Sequence, residues 1–149
     1  GHSFVALTTR GNAAIKVALS NVEGKVLIPE EGGWLSYQTL PKTLGLEVQK
    51  VKCNDAKIDL HDLKNKIKNC SAFLYQNPGG YFAEQPMEEI YNICKNNCLV
   101  IMDVSGSIGT TLCNGKFADV IVGSFGKWKL VDAGKGGFIS SPKIVYPNC

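Results

Sequence analysis

The chain has 149 residues, 44% of them apolar and 19% charged, which is ordinary for a globular protein and long enough to bury one sizeable core. Its 16 basic and 13 acidic residues leave a net charge of +3 with no block of five like charges, so a nucleic-acid partner is not expected. No apolar run approaches the roughly 20 residues that span a bilayer, and no charged segment leading into an apolar stretch opens the chain; a soluble, cytoplasmic protein with no membrane partner is the expectation.

Residues 1–3, Gly-His-Ser, resemble a cloning remnant and are set outside the fold argument. Apolar runs then alternate with helical patterns. FVALT (4–8) is followed by NAAIKVALS, KVLIP (25–29) by GWLSYQTLPKTLG, LEVQKVK (46–52) by DLHDLKNKIK, and SAFLYQ (71–76) by PMEEIYNICKNN, before LVIMDV (99–104). Two further strands, DVIVGSF (119–125) and GGFISS (136–141), have only loops before them. Short β-branched runs separated by amphipathic helices imply right-handed crossovers and a sheet covered on both faces. The expected fold is α/β, a three-layer α-β-α sandwich around a mostly parallel seven-stranded sheet. Its last strand is expected to be antiparallel, because a glycine-rich turn is too short for a crossover helix. The domain is read as residues 4–141, and the tail PKIVYPNC (142–149), with its prolines, is expected to leave the sheet.

The six cysteines, at positions 53, 70, 94, 98, 113 and 149, are irregularly spaced and read as small buried apolar groups in a reducing compartment. Cys94 and Cys98 can share a helix face, but no second pair of ligands completes a tetrahedral set, so no metal is expected.

In an open parallel sheet the ligand site lies beyond the carboxyl ends of the strands. After the first strand, Gly11 and Asn12 open a helix whose free N–H groups suit a phosphate, with Thr8, Thr9 and Arg10 beside them; an ordinary Asn cap with a solvated Arg is the plainer reading. A dinucleotide GxGxxG is absent here, and GTTLCNGKF (109–117) has five residues between its glycines where a P-loop needs four. The fourth strand ends in QNPGGYF, where Gln76 and Asn77 offer amides beside a forced turn. Asp103 closes the fifth strand after four apolar residues and needs a cation or a good donor, as a ligand contact, a salt bridge or a cap. Beyond the sixth strand lie Ser124, Lys127 and Lys129, with Gly134, Gly136 and Gly137 permitting a tight return.

An imine-forming amine, a carboxylate for a pyridinium nitrogen and a helix terminus for a phosphate together match the needs of pyridoxal 5′-phosphate. In the order and spacing of these motifs the chain, from residue 4 to about 141, resembles the fold type I, aspartate-aminotransferase-like family, nearest its sugar-aminotransferase and cysteine-desulfurase branch. The resemblance implies that Asp103 pairs with the pyridine nitrogen and that Ser105 packs on the ring. It pairs Ser124 with Lys129 in an SFxxxK pattern, making Lys129 the Schiff-base lysine, with Lys127 as the competing amine. Ser124, Gly11 and Asn12 would hold the phosphate with Arg10 nearby, and Asn77 would donate to the phenolic oxygen. Trp34 is favoured over Tyr37 to stack on the ring; a core aromatic is the plainer reading of either. Also implied are a homodimer, an amine or amino-acid substrate, and a large domain lacking the N-terminal arm and the C-terminal small domain of such enzymes. Transamination is the expected chemistry. An inactive relative serving association, and an unrelated nucleotide-binding doubly wound domain, are the alternatives.

Overall fold

The computed structural model describes residues 2–143. Gly1 and most of the 142–149 tail, including Cys149, lie outside the described residues. Seven strands form the main sheet: β1 (Phe4–Thr8), β2 (Lys25–Pro29), β3 (Glu47–Val51), β4 (Ala72–Gln76), β5 (Leu99–Asp103), β6 (Val120–Ser124) and β7 (Gly137–Ser141). Their spatial order is β1-β7-β6-β5-β4-β2-β3. The first six share one direction, and β7 opposes both its neighbours, as expected from the short turn before it. It is inserted between β1 and β6 rather than added at an edge, so Gly137 faces Thr8 on one side and Ser124 on the other.

Four helices cover the sheet: α1 (Gly11–Leu19), α2 (Ser36–Thr43), α3 (Leu60–Lys66) and α4 (Met87–Cys94). Strand side chains alternate between faces, so each central strand feeds two cores. Val26, Ile28, Leu74, Ile101, Val120 and Val122 pack with Ala14, Ile15 and Leu19 of α1 and Tyr37 of α2. Leu27, Phe73, Tyr75, Val100, Met102 and Ile121 pack with Leu63 of α3 and Ile90 and Cys94 of α4. Burial on both faces explains why these strands read as continuous apolar runs.

Some elements depart from the sequence reading. A small hairpin, Cys53–Asn54 with Lys57–Ile58, follows β3, turning through Asp55 and Ala56 at φ of 49° and 63°. Neither residue is glycine, so the usual hairpin signal is missing. The helix expected over 33–45 is confined to Ser36–Thr43, with Pro41 in its last turn. His2, set aside with the first three residues, bonds Ser140 Oγ at 3.0 Å and the Ala118 carbonyl at 2.9 Å and so packs with the fold.

Gly137 is wedged where β7 begins. A Cβ there would lie 2.7 Å from Arg10 C, 2.7 Å from Gly123 O and 2.8 Å from Gly11 N, all backbone atoms. Gly137→Ala is therefore expected to cost about 1–3 kcal/mol through overpacking. Urea unfolding checks this, and a loss within ordinary surface-mutation scatter would contradict the packing described.

Candidate active site

Because six strands share a direction, Thr8, Gln76, Asp103 and Ser124 end on one edge of the sheet. A cleft of about 360 Å³ opens there, lined among others by Arg10, Gly11, Asn12, Trp34, Gln76, Asp103, Ser105, Ser124, Lys127 and Lys129. Two other clefts, of about 470 and 560 Å³, are larger, but one lies by the opposite strand ends around Asn21 and Ser71 and the other between α3 and α4. Neither brings an acid and an amine together at the strand tips, so chemistry rather than size marks the smaller cleft as the site.

The end of α1 meets the end of β6. A Cβ on Gly11 would fall 2.9 Å from Ser124 Cβ, so the leading N–H groups of α1 stand close to the Ser124 side chain. A helix leaves such N–H groups without intrahelical acceptors, which suits an anion. Arg10 takes the cap position in extended conformation with no side-chain cap bond and lines the cleft. Ser124 Oγ accepts the Gly126 N–H at 3.2 Å.

Asp103 is 6% exposed at the tip of β5. Its Oδ1 accepts the Ser105 N–H at 2.9 Å and the Ser105 hydroxyl at 2.6 Å, and its Oδ2 accepts the Tyr37 hydroxyl at 2.7 Å. The partner that a buried carboxylate requires is thus a set of neutral donors. The ion pairs found among the described residues, Lys25–Glu47 and Lys66–Asp62, lie elsewhere. Burial, and then the Asp103 charge and bond, push the Tyr37 phenol well above its usual value. A raised phenol stabilises the fold while the unfolded tyrosine is still protonated, and that contribution is lost as pH climbs past about 10. Tyr37→Phe is expected to flatten the alkaline fall in stability between pH 9 and 11, measured by urea unfolding; an unchanged slope would contradict the burial of that hydroxyl.

The loop after β6 carries the amines. Lys129 Nζ stands 5.4 Å from the Trp34 ring centroid, in cation–π range. Trp128, between the two lysines, adopts φ of 71°, a conformation costly for a bulky residue, and its N–H donates to Asp132 Oδ2 at 3.1 Å. Asp132 Oδ1 also accepts the Gly134 N–H at 2.7 Å, so one carboxylate pins both sides of the loop. Gly136, at φ of 100°, turns the chain into β7.

The cleft brings together Arg10, Gly11, Asn12, Trp34, Asp103, Ser105, Ser124 and Lys129, with Lys127 beside them. It does not bring in Asn77. That residue is fully buried, its amide donating to Leu112 O at 3.1 Å and accepting from the Gln85 N–H at 3.0 Å, so it staples the loops behind the site. The neighbouring amide, Gln76, lines the cleft and donates to Gly80 O at 3.2 Å. Tyr81 and Trp128 at the mouth, and the Tyr37 bond to Asp103, were not read from the sequence. Strand parity was the available signal at Gln76: it pairs with Asp103 across the sheet and Asn77 lies beyond the ladder.

Among the described residues no group of three or more His, Cys, Asp or Glu side chains could hold a metal, and no helix is long and apolar enough to cross a membrane.

A mostly parallel sheet between two helical layers, with this edge, is the fold of the pyridoxal-phosphate-dependent transferases. Residues 1–143 match the model of the DegT/DnrJ/EryC1/StrS aminotransferase family, and the chain belongs to that family. NtdA from Bacillus subtilis, solved with bound cofactor PMP, superposes with a TM-score of 0.82 at 24% identity, over 96% of this chain and 34% of that one. The sugar aminotransferase CalS13 from Micromonospora echinospora gives 0.78 at 23% identity, over 93% and 42%. A cysteine desulfurase from Thermococcus onnurineus NA1 gives 0.73 at 19%, over 93% and 38%. The chain thus spans between 34% and 42% of the length of these three proteins. Comparison with curated protein sequences finds no match.

Proposed function

We propose that the chain forms the cofactor-binding domain of a pyridoxal 5′-phosphate-dependent aminotransferase acting on an amine or amino-acid substrate. The observation that carries this reading is that a buried carboxylate held by neutral donors and a lysine amine line one cleft beside a helix N-terminus. The residues fit the cofactor part by part. No ion pair among the described residues engages Asp103, and Oδ2 takes a single donor, leaving acceptor capacity for a ring N–H. Gly11, Asn12 and Ser124, with Arg10, supply N–H, hydroxyl and guanidinium donors for a phosphate. Trp34 offers an aromatic face.

When bound, pyridoxal 5′-phosphate supplies an aldehyde that joins amines and a ring that withdraws electrons from the substrate carbon. The chain's own residues do the rest. Asp103 holds the proton on the ring nitrogen, and Lys129 Nζ moves the proton at the substrate α carbon. Lys129 is favoured over Lys127 because its amine is the one packed at Trp34. Arg10, Lys127 and Lys129 outnumber Asp103 among the charges lining the cleft, which favours anionic substrates.

We also place the site at a homodimer interface. Trp34, Leu35, Tyr81, Phe82, Trp128 and Leu130 are each more than half exposed, an apolar rim that a second copy would cover. Free thiols at Cys53, Cys70, Cys94, Cys98 and Cys113 agree with a reducing, cytoplasmic setting. The function is tested by titrating the protein with pyridoxal 5′-phosphate. A saturable visible absorption band at one cofactor per chain, bleached by an amino donor, is expected. Saturable nucleotide binding without a visible band would replace this reading with a nucleotide-binding one.

A further inference from the structure

We infer that Tyr37 is a positioning residue for Asp103, its hydroxyl fixing the second carboxylate oxygen from the helical layer on that face of the sheet and favouring the charged carboxylate that faces the cleft. This rests on the proposed role of Asp103 toward the cofactor nitrogen.

Two kinds of bond hold the carboxylate. Both donors on Oδ1 come from Ser105, two residues along the chain, so that attachment is local and moves with the strand end. The Oδ2 bond comes from 66 residues away. Of the carboxylate's three bonds it is the one that ties the group to another layer of the fold, and it sets the rotation of the carboxylate about its Cβ–Cγ bond.

The Tyr37 ring is built into place. The residue, in the first turn of α2, is 1% exposed and packs in the core that α2 shares with α1 and the sheet. Gly33 stands where a Cβ would come 2.8 Å from Tyr37 Cδ2 and 3.0 Å from Cε2, so the chain closes over the ring only because that side chain is missing. The Tyr37 N–H donates to Trp34 O at 3.0 Å, which puts the aromatic lining the cleft and the phenol under the carboxylate on one turn.

The donor's neutrality matters. A lysine or arginine at this point would hold the carboxylate charged but cancel its field, whereas a hydroxyl stabilises the anion and leaves its net charge for a cationic ring. Tyr37 serves only as a donor, because burial keeps its phenol protonated. Arg10, Lys127 and Lys129 line the same cleft as Asp103, so the test is a difference between variants.

The test uses the full-length protein, Tyr37→Phe, Asp103→Asn, and a variant with 3,5-difluorotyrosine at 37, which keeps the ring and sharpens the donor. In cofactor-free protein, the Asp103 carboxyl midpoint is followed by ¹³C NMR; in loaded protein, the ring-nitrogen ¹⁵N shift and the cofactor affinity are measured. Tyr37→Phe is expected to raise the midpoint by about one unit, weaken affinity by about tenfold and move the ¹⁵N signal toward the unprotonated value, because one donor to the anion is lost. The fluorinated side chain is expected to lower the midpoint. Unchanged midpoint and ¹⁵N shift in a folded Tyr37→Phe protein overturn the inference, as does an unmoved midpoint in the fluorinated protein where Tyr37→Phe does not fold. Should Asp103→Asn also bind cofactor like the parent, the failure lies with the Asp103 assignment itself.

Discussion

Asp103→Asn is expected to weaken pyridoxal 5′-phosphate binding by about 10- to 150-fold, the equivalent of one charge-assisted hydrogen bond of about 1.5–3 kcal/mol. Asparagine keeps the shape, and its one amide oxygen can still accept both Ser105 donors; the nitrogen that replaces Oδ2 only donates, so the Tyr37 hydroxyl must turn to accept from it. What it cannot keep is the charge. An uncharged group no longer favours a proton on the ring nitrogen, and turnover is expected to fall by a further factor of about 10²–10³, the scale for removing a preorganised group that faces developing charge. Equilibrium titration and steady-state rates on the same preparation separate the two losses. Parent-like binding and turnover would place the cofactor nitrogen elsewhere.

Lys129→Ala is expected to abolish the visible band and to lower turnover by at least about 10⁴, at the upper end of what one acid–base group contributes. Affinity is expected to fall far less than turnover, because Gly11, Asn12 and Ser124, the donors proposed for the phosphate, are untouched. Lys127→Ala provides the comparison. Its amine lines the same cleft, two residues away on a loop pinned by Asp132, and it is expected to retain the band. A reversed pattern, with the band lost in Lys127→Ala and kept in Lys129→Ala, would exchange the roles of the two lysines.

The sheet was legible in the sequence because its central strands are buried on both faces and appear as short apolar runs such as VLIP and LVIM. The direction of β7 followed from the length of the turn before it, but its place between β1 and β6 did not. That place depends on which strand edges are left open, and residues 4–8 carry no signal of their neighbour: Val5 and Leu7 are apolar yet exposed.

At the site, legibility followed chemistry and failed at geometry. Asp103 and Ser124 were visible as polar residues closing apolar runs, Lys129 was singled out over Lys127 through the family resemblance, and the structure brings all of them to one cleft. Asn77 and Gln76 are equally polar neighbours, and only the end of the strand ladder decides which enters the cleft and which turns behind it. Tyr37 looked like an aromatic on an amphipathic helix, which it is; its hydroxyl finds Asp103 through the packing of α2 on the sheet, a contact that no spacing in the chain encodes.

The central claim is that the carboxylate closing β5 and an amine beyond β6 act on one cofactor. Borohydride reduction of the loaded protein followed by peptide mapping tests it most directly. One reduced cofactor per chain on Lys129, lost when Asp103 is replaced, is the expected result. Label on Lys127, label scattered over surface lysines, or no label at saturating cofactor would contradict it.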